Sequence, residues 1–217
     1  MIRAFGYNEF LFLLSAVQWT LLLSAIAFIG GGIVGLFVAL GRTSDVKPLR
    51  WLATGYIQVF QGTPLLMQLF LVFFGATVLG IDMSPWVAAA LGLTLNTSAF
   101  LGEIWRGCIQ SVPRGQWEAA SALGLRYPGL MRYVILPQAV KVAVPPTVGY
   151  LVQVIKGTSL AAIIGFVELT RAGQIVNNAT FQPFLVFGIV AAIYFALCWP
   201  LSLLSQRLEA RYAAPTR

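Results

Sequence analysis

Apolar residues run through this chain in long blocks rather than in the every-other or every-third-or-fourth pattern of a water-soluble fold. Charge-free runs cover Phe10–Gly41, Trp51–Ile81, Met83–Gly102, Val142–Ile155 and Ala172–Gln206. A bilayer crossing takes about 20 apolar residues. The blocks therefore predict five membrane-spanning helices, near 17–40, 52–79, 86–108, 138–156 and 183–205, in a single all-α domain covering 1–217. Pro145-Pro146 interrupts the fourth span and Lys156 caps it. The first run is too long for a secretion signal, and no small-residue cleavage site ends it. Between the third and fourth spans a polar loop, 110–137, is the one substantial segment left for water.

Composition agrees with this pattern. The 217 residues are 59% hydrophobic and 10% charged, with a mean hydropathy of +0.83, where soluble domains carry about 25% charged residues. The distribution of Lys and Arg sets an orientation. Eleven of the 14 fall on one side: Arg42, Lys47, Arg50, Arg106, Arg114, Arg126, Arg132, Lys141, Arg207, Arg211 and Arg217. Arg3, Lys156 and Arg171 fall on the other. The N-terminus is then expected outside, with the polar loop and the C-terminus in the cytoplasm. The net charge of +7 is accounted for by this topology and not by a nucleic-acid surface. Cys108 and Cys198 lack metal-ligand spacing and His is absent, so neither a disulfide nor a metal site is expected. Neither a GxxxxGK[ST] loop nor a GxSxG elbow occurs. The chain is expected to be no enzyme and to hold no cofactor of its own.

The polar loop has internal order. Pro113 and Gly115 break the continuation of the third span, and Pro128-Gly129 ends the next piece, leaving Gln116–Leu125 for a helix of about three turns. Ala119, Ala120 and Leu123 fall on one stripe of it, where small side chains let a partner surface come close. Glu118 lies near the helix start, where the macrodipole favours an anion. Gly124 permits either close approach or a left-handed C-cap. Such a helix suits helix-in-groove recognition. The alternative is a connector lying on its own bundle.

Polar groups inside spans mark function or a local structural need. Gln61, Thr63, Gln68, Asn96, Thr97 and Ser98 lie in the second and third spans. The 52–79 segment is too long for one straight crossing, and Gly62 with Pro64 offers a break, with Thr63 as N-cap and Pro64 at N1. A half-helix N-terminus there would aim N–H groups at a substrate carboxylate. A packed proline kink is the competing reading. Glu103 and Arg106, at i and i+3, predict an ion pair, and Glu168 with Arg171 predicts another. Lys156 before Gly157-Thr158-Ser159 marks a further helix break, with Lys156 either snorkelling to the interface or forming an outer gate with Thr158 and Ser159. Gly31 and Gly35 form a small-residue face suited to close helix packing, chiefly within the chain.

The spacing Glu118-Ala119-Ala120-x3-Gly124-x9-Val134-x-Leu136-Pro137 resembles the coupling loop of ATP-binding-cassette (ABC) importer permeases. Further segments are similar to the polar amino-acid permease subfamily (histidine, glutamine and arginine permease-like): Gly62-Thr63-Pro64-Leu65-Leu66, Leu93-Thr94-Leu95-Asn96, Glu103-Ile104-Trp105-Arg106-Gly107, Lys156-Gly157-Thr158-Ser159-Leu160 and Glu168-Leu169-Thr170-Arg171-Ala172-Gly173-Gln174. The family's Ile is Val134 here, its usual Arg is Gln61, and a frequent Asp is Gly157. The last two remove charge near the pathway, so charge preference does not carry over. The resemblance implies a type I importer fold in the bacterial inner membrane and a second permease, identical or paralogous. It also implies an ATPase dimer that binds ATP and magnesium, and an extracytoplasmic binding protein delivering a polar or charged amino acid or an opine-like solute. The coupling-loop match puts Glu118, Ala119, Ala120, Leu123, Gly124 and Pro137 at the ATPase, and the polar positions and helix breaks within the spans nominate Gln61, Gly62, Thr63, Gln68, Asn96, Ser98, Lys156, Thr158 and Ser159 for the pathway. Rival readings are an importer of another small solute, or an ATP-independent channel or exchanger.

Overall fold

A computed structural model describes residues 4–212; Arg3 and Arg217, counted in the orientation, lie outside them. Nine α-helices form the described chain: α1 (Tyr7–Thr43), α2 (Lys47–Gly62), α3 (Leu65–Val78), α4 (Pro85–Gln110), α5 (Arg114–Ala122), α6 (Tyr127–Leu130), α7 (Leu136–Gly157), α8 (Leu169–Thr180) and α9 (Pro183–Tyr212). A π-helical turn, Met131–Ile135, joins α6 to α7, and a 3₁₀ segment, Thr158–Ile164, continues α7.

Three of the expected spans are the uninterrupted helices α1, α4 and α9, and the fourth lies inside a longer run, Tyr127–Ile164. The second is not one straight helix: α2 and α3 are bent by 103° at the break that Gly62 and Pro64 offer. At 37 residues α1 is about 55 Å long, well beyond the roughly 30 Å hydrocarbon core. Two sequence expectations fail here. Pro145 and Pro146 both sit inside α7 without ending it, and Gly157-Thr158-Ser159 tightens the helix to 3₁₀ instead of breaking it. The stop comes at Gly165, whose φ of +88° only glycine adopts freely.

The centre of the bundle is the α1–α4 crossing. A Cβ on Gly31 would lie 2.6 Å from the Thr97 side chain, and one on Gly35 2.9 Å from the Ser98 carbonyl oxygen. Without hydrophobic drive between helices in lipid, this backbone-close packing is what holds them, and the small-residue face is therefore used within the chain. Leu23, Ala27, Leu69, Ala88, Ala89, Leu93 and Val154 fill the core beside it. A second apolar cluster clamps α8 between α1 and α9 through Leu13, Leu169, Val176 and Val186.

The α8 helix was not expected from hydropathy. Its N-cap is Glu168, fully buried, whose carboxylate accepts the backbone N–H groups of Thr170 (2.9 Å) and Arg171 (2.8 Å) and the Tyr194 hydroxyl (2.7 Å). Burial pushes this carboxyl above its ordinary range, against the hydrogen bonds, which favour the charged form. The expected Glu168–Arg171 ion pair is not formed. Only the Arg171 backbone reaches Glu168, and its guanidinium donates to Gln174 Oε1 at 2.9 Å.

Candidate functional site

The break in the second span is built by one side chain. Gln68 lies on the first turn of α3 and is 6% exposed. Its Nε2 donates to the Phe60 carbonyl (2.8 Å), the Thr63 carbonyl (3.0 Å) and Thr63 Oγ1 (2.9 Å). Carbonyl oxygens only accept, so the amide nitrogen must face them. That leaves Oε1 to accept Asn96 Nδ2 from α4 at 2.9 Å. Two carbonyls at the end of α2 are thus paired without a continuing helix. Thr63 belongs to the α2 end, where its hydroxyl donates to the Val59 carbonyl at 2.7 Å, and Pro64 is the N-cap of α3. The N-cap is therefore one residue later than the sequence spacing suggests.

Nominated pathway residues divide into two groups. Gln68, Asn96, Ser98 and Thr158 are buried and their polar atoms are occupied. Ser98 Oγ pairs with the Tyr56 hydroxyl (2.6 Å) and donates to the Leu95 carbonyl (2.7 Å), while Thr158 donates to the Ile155 carbonyl (2.7 Å). These four brace the bundle. Gln61, Gly62, Thr63 and Lys156 are exposed and Ser159 is half-buried. Leu65 links them: a Cβ on Gly157 would stand 3.2 Å from its Cδ2, so the 156–159 junction lies beside the start of α3. The N–H groups of Leu65 and Leu66 have no acceptor a full turn back within their own helix.

Tyr56 and Tyr150 were missed by sequence reading. Tyr56 reaches across to Ser98 and to the Leu95 carbonyl at 3.0 Å, and Tyr150 approaches Asn96 Oδ1 at 3.5 Å. A phenol inside a span needs a polar partner, and that need was the available signal. Glu103 and Arg106 form a two-point ion pair on α4, with Nε–Oε2 at 2.8 Å and Nη2–Oε1 at 2.6 Å. Arg106 also donates to Gln110, which ties this pair along its own helix.

In the polar loop, α5 spans Arg114–Ala122, two residues earlier at its start and three at its end than the sequence suggests. Gly124 has φ +77°; its N–H donates to the Ser121 carbonyl (2.9 Å) and that of Leu125 to the Ala120 carbonyl (3.2 Å). This bond pair is a Schellman C-cap, so the left-handed cap is formed, and nothing among the described residues stands within 4 Å of a Cβ placed on Gly124. The expected stripe splits. Ala120 is 2% exposed and packs on Ile109, Val112, Met131 and Ile135, whereas Leu123 is 82% exposed and Glu118 and Ala119 are exposed beside it. One face of α5 thus anchors the loop and another is displayed. Pro137 stands at the start of α7, directly after the π turn, which widens the helix where a proline ring would otherwise press on the preceding turn.

Among the described residues no group of His, Cys, Asp or Glu could hold a metal ion. Residues 31–214 match the family model of the binding-protein-dependent transport system inner membrane component. The chain is 40% identical over 206 residues to a probable amino-acid ABC transporter permease, YckA, of Bacillus subtilis, covering 95% of this chain and 91% of that one. It is 39% identical to the L-cystine transport system permease TcyB of the same organism, covering 90% and 84%. The crystal structure of an amino acid ABC transporter with histidines superposes with a TM-score of 0.89 at 36% identity, covering 96% of this chain and 100% of that one. The broken second span, the braced bundle and the displayed loop helix are thus those of an ABC importer permease, a transport subunit whose ATPase is a separate chain, and the protein belongs to the family of binding-protein-dependent transport system inner membrane components.

Proposed function

We propose that this permease carries an amino acid, or an opine-like relative, across the bacterial inner membrane, with α5 seated in a groove of the ATPase. The observation that carries the reading is the displayed face of α5, with Leu123 82% exposed on a helix stub fixed by the Gly124 cap. An apolar side chain held out on a rigid, capped helix suits helix-in-groove docking. Glu118, Ala119 and Leu123 make the contact, while Ala120 and Pro137 hold the loop to the bundle.

The eleven-to-three division of Lys and Arg supports a cytoplasmic loop and C-terminus with the N-terminus outside. A second permease, identical or paralogous, completes the pathway, two ATPases bind ATP and magnesium, and an extracytoplasmic binding protein delivers the solute. Gln61, Thr63, Lys156, Ser159 and the first N–H groups of α3 face that pathway, where the helix start favours a carboxylate. The relatives named for amino acids and cystine support the substrate class.

Crosslinking tests the coupling. A cysteine at Leu123 is expected to crosslink to an ATPase in intact membranes. Gly124→Val is expected to lower ATP-dependent uptake about tenfold or more, because a β-branched residue resists positive φ, while Gly124→Asn keeps most of it. A Leu123→Cys chain that reaches no ATPase, or uptake indifferent to ATP depletion, would sink the coupling role. A cognate binding protein that takes no amino acid would remove the substrate class and leave the coupling intact.

A further inference from the structure

A groove of about 670 Å³ runs along the outside of the bundle between α1, α4 and α7, away from the broken span. Gly32 and Leu36 form one wall, Val140 and Val144 the other, and Leu101 and Trp105 the floor. It lies within three helices apolar and long enough to span a membrane, so its mouth opens at hydrocarbon depth. Two side chains in it carry strong hydrogen-bonding groups, and they satisfy each other: Trp105 Nε1 donates to Thr147 Oγ1 at 2.8 Å, and that hydroxyl donates to the Ala143 carbonyl at 2.6 Å. An occupant needing hydrogen bonds would find none, whereas a hydrocarbon chain would be matched along its length.

The Arg-rich end of the groove supplies the complementary charge. Arg42 lies three residues past Ala39 of the α1 wall, and Arg132 four residues before Leu136 of the α7 wall. Arg42 Nε is buried without a hydrogen-bond partner among the described residues, a costly state for a charged donor. Neither Arg42 nor Arg132 has an acidic partner within ion-pair distance among the described residues. An anionic headgroup at this level would serve both.

We propose that this groove is a binding site for an anionic phospholipid, with one acyl chain between α1 and α7 and the phosphate against Arg42 and Arg132. A second copy of the chain is the competing occupant. The apolar lining and two cations without acidic partners among the described residues beyond one end of it, Arg132 lying over the Tyr133 ring at 5.8 Å, favour the lipid.

The probes are phosphatidylglycerol and phosphatidylcholine of matched chains, added to the intact transporter complex and read by native mass spectrometry. Phosphatidylglycerol is expected to be retained preferentially. Arg42→Gln is expected to reduce that preference about fivefold, and Arg132→Gln to do the same. Gly32→Leu fills the groove; a Cβ there meets only the Trp105 ring at 3.7 Å, so the helix tolerates it, and retention of both lipids is expected to fall about tenfold. Ala143→Leu fills it from the opposite wall as a second, independent variant. Equal retention of the two lipids, or undiminished retention in both filled variants, overturns the proposal. So does separation of the permease pair by the filled variants with lipid retention unchanged, which would assign the groove to protein contact.

Discussion

Two proline sites in this membrane domain meet opposite fates. Gly62-Thr63-Pro64 turns the chain through 103° between α2 and α3, while Pro145-Pro146 lies inside α7 and leaves it continuous. Each ring removes an N–H, but Pro64 stands at the N-cap of α3, where a proline is tolerated, and Pro145 and Pro146 stand in a helix interior. What also differs is what lies across each site. At the break, the Gln68 amide takes the Phe60 and Thr63 carbonyls and is itself held by Asn96. In α7 the rings free the Lys141 and Val142 carbonyls one turn back, and the helix stays continuous. The nearby hydroxyls go to other carbonyls of the same stretch, Thr147 Oγ1 donating to Ala143 at 2.6 Å and Ser205 Oγ of α9 to Pro145 at 2.9 Å. A proline therefore permits a break in lipid, and a side-chain amide placed across the gap makes one.

The largest test of this contrast is Gln68→Leu. The substitution keeps approximate volume and strands two carbonyls and the Asn96 amide. Leaving buried polar groups unpaired costs about 1–3 kcal/mol each, reduced here because Thr63 is exposed. We expect a loss of about 3 kcal/mol, read as a lowered midpoint in thermal unfolding of the purified complex. A change below about 1 kcal/mol would mean that the amide network does not hold the bend.

That network also marks where sequence reading stopped. The weak point at Gly62 and Pro64 was legible because both residues are poor in helix interiors. The Gly124 cap was one of two roles the sequence allowed, although the helix was expected to run on to Leu125. The partner that fixes the bend was not legible, because Gln68 and Asn96 are 28 positions apart and Tyr56 and Ser98 are 42 apart, and no periodicity encodes such pairs. Read singly, Gln68, Asn96 and Ser98 looked like polar residues awaiting substrate, and Tyr56 went unremarked. The α8 helix escaped for a different reason. Its 12 residues are too few for a hydropathy window sized to a bilayer, although Leu169, Ala172 and Val176 carry the i, i+3, i+7 stripe of an amphipathic helix. The Pro145-Pro146 pair misled in the opposite direction, because two rings inside a helix ordinarily end or kink it, and the support α7 takes from α9, such as the Ser205 bond across 60 positions, leaves no local signal.

If the amide rather than the ring sets the bend, Pro64→Ala should change little. Restoring one N–H does not release Gln68 from Phe60 and Thr63, so stability is expected to move by less than about 1 kcal/mol. Spin labels at Leu52 and Leu71, both well exposed on the two arms, make the geometry measurable. At 1.5 Å per residue the labelled positions would be about 28 Å apart in a straight helix and about 17 Å apart across the bend. The distance in Pro64→Ala should stay near the shorter value. A population at the longer one would return the bend to the proline ring.

The smallest effect is expected on the other side of the comparison. Ser205→Ala removes the one hydrogen bond from α9 to the Pro145 carbonyl, a group inside a helix that the rest of α7 still supports. One hydrogen bond is worth about 0.5–1.5 kcal/mol net, and within a bundle in lipid such bonds fall toward the low end, so a loss of about 0.6 kcal/mol is expected. The same unfolding measurement reads it, and α7 should stay helical, seen as unchanged far-ultraviolet circular dichroism. A loss as large as that of Gln68→Leu, or a drop in helix content, would show that the α7 prolines also depend on a single side chain. The two sites would then differ in which partner each found and not in how much each needs one.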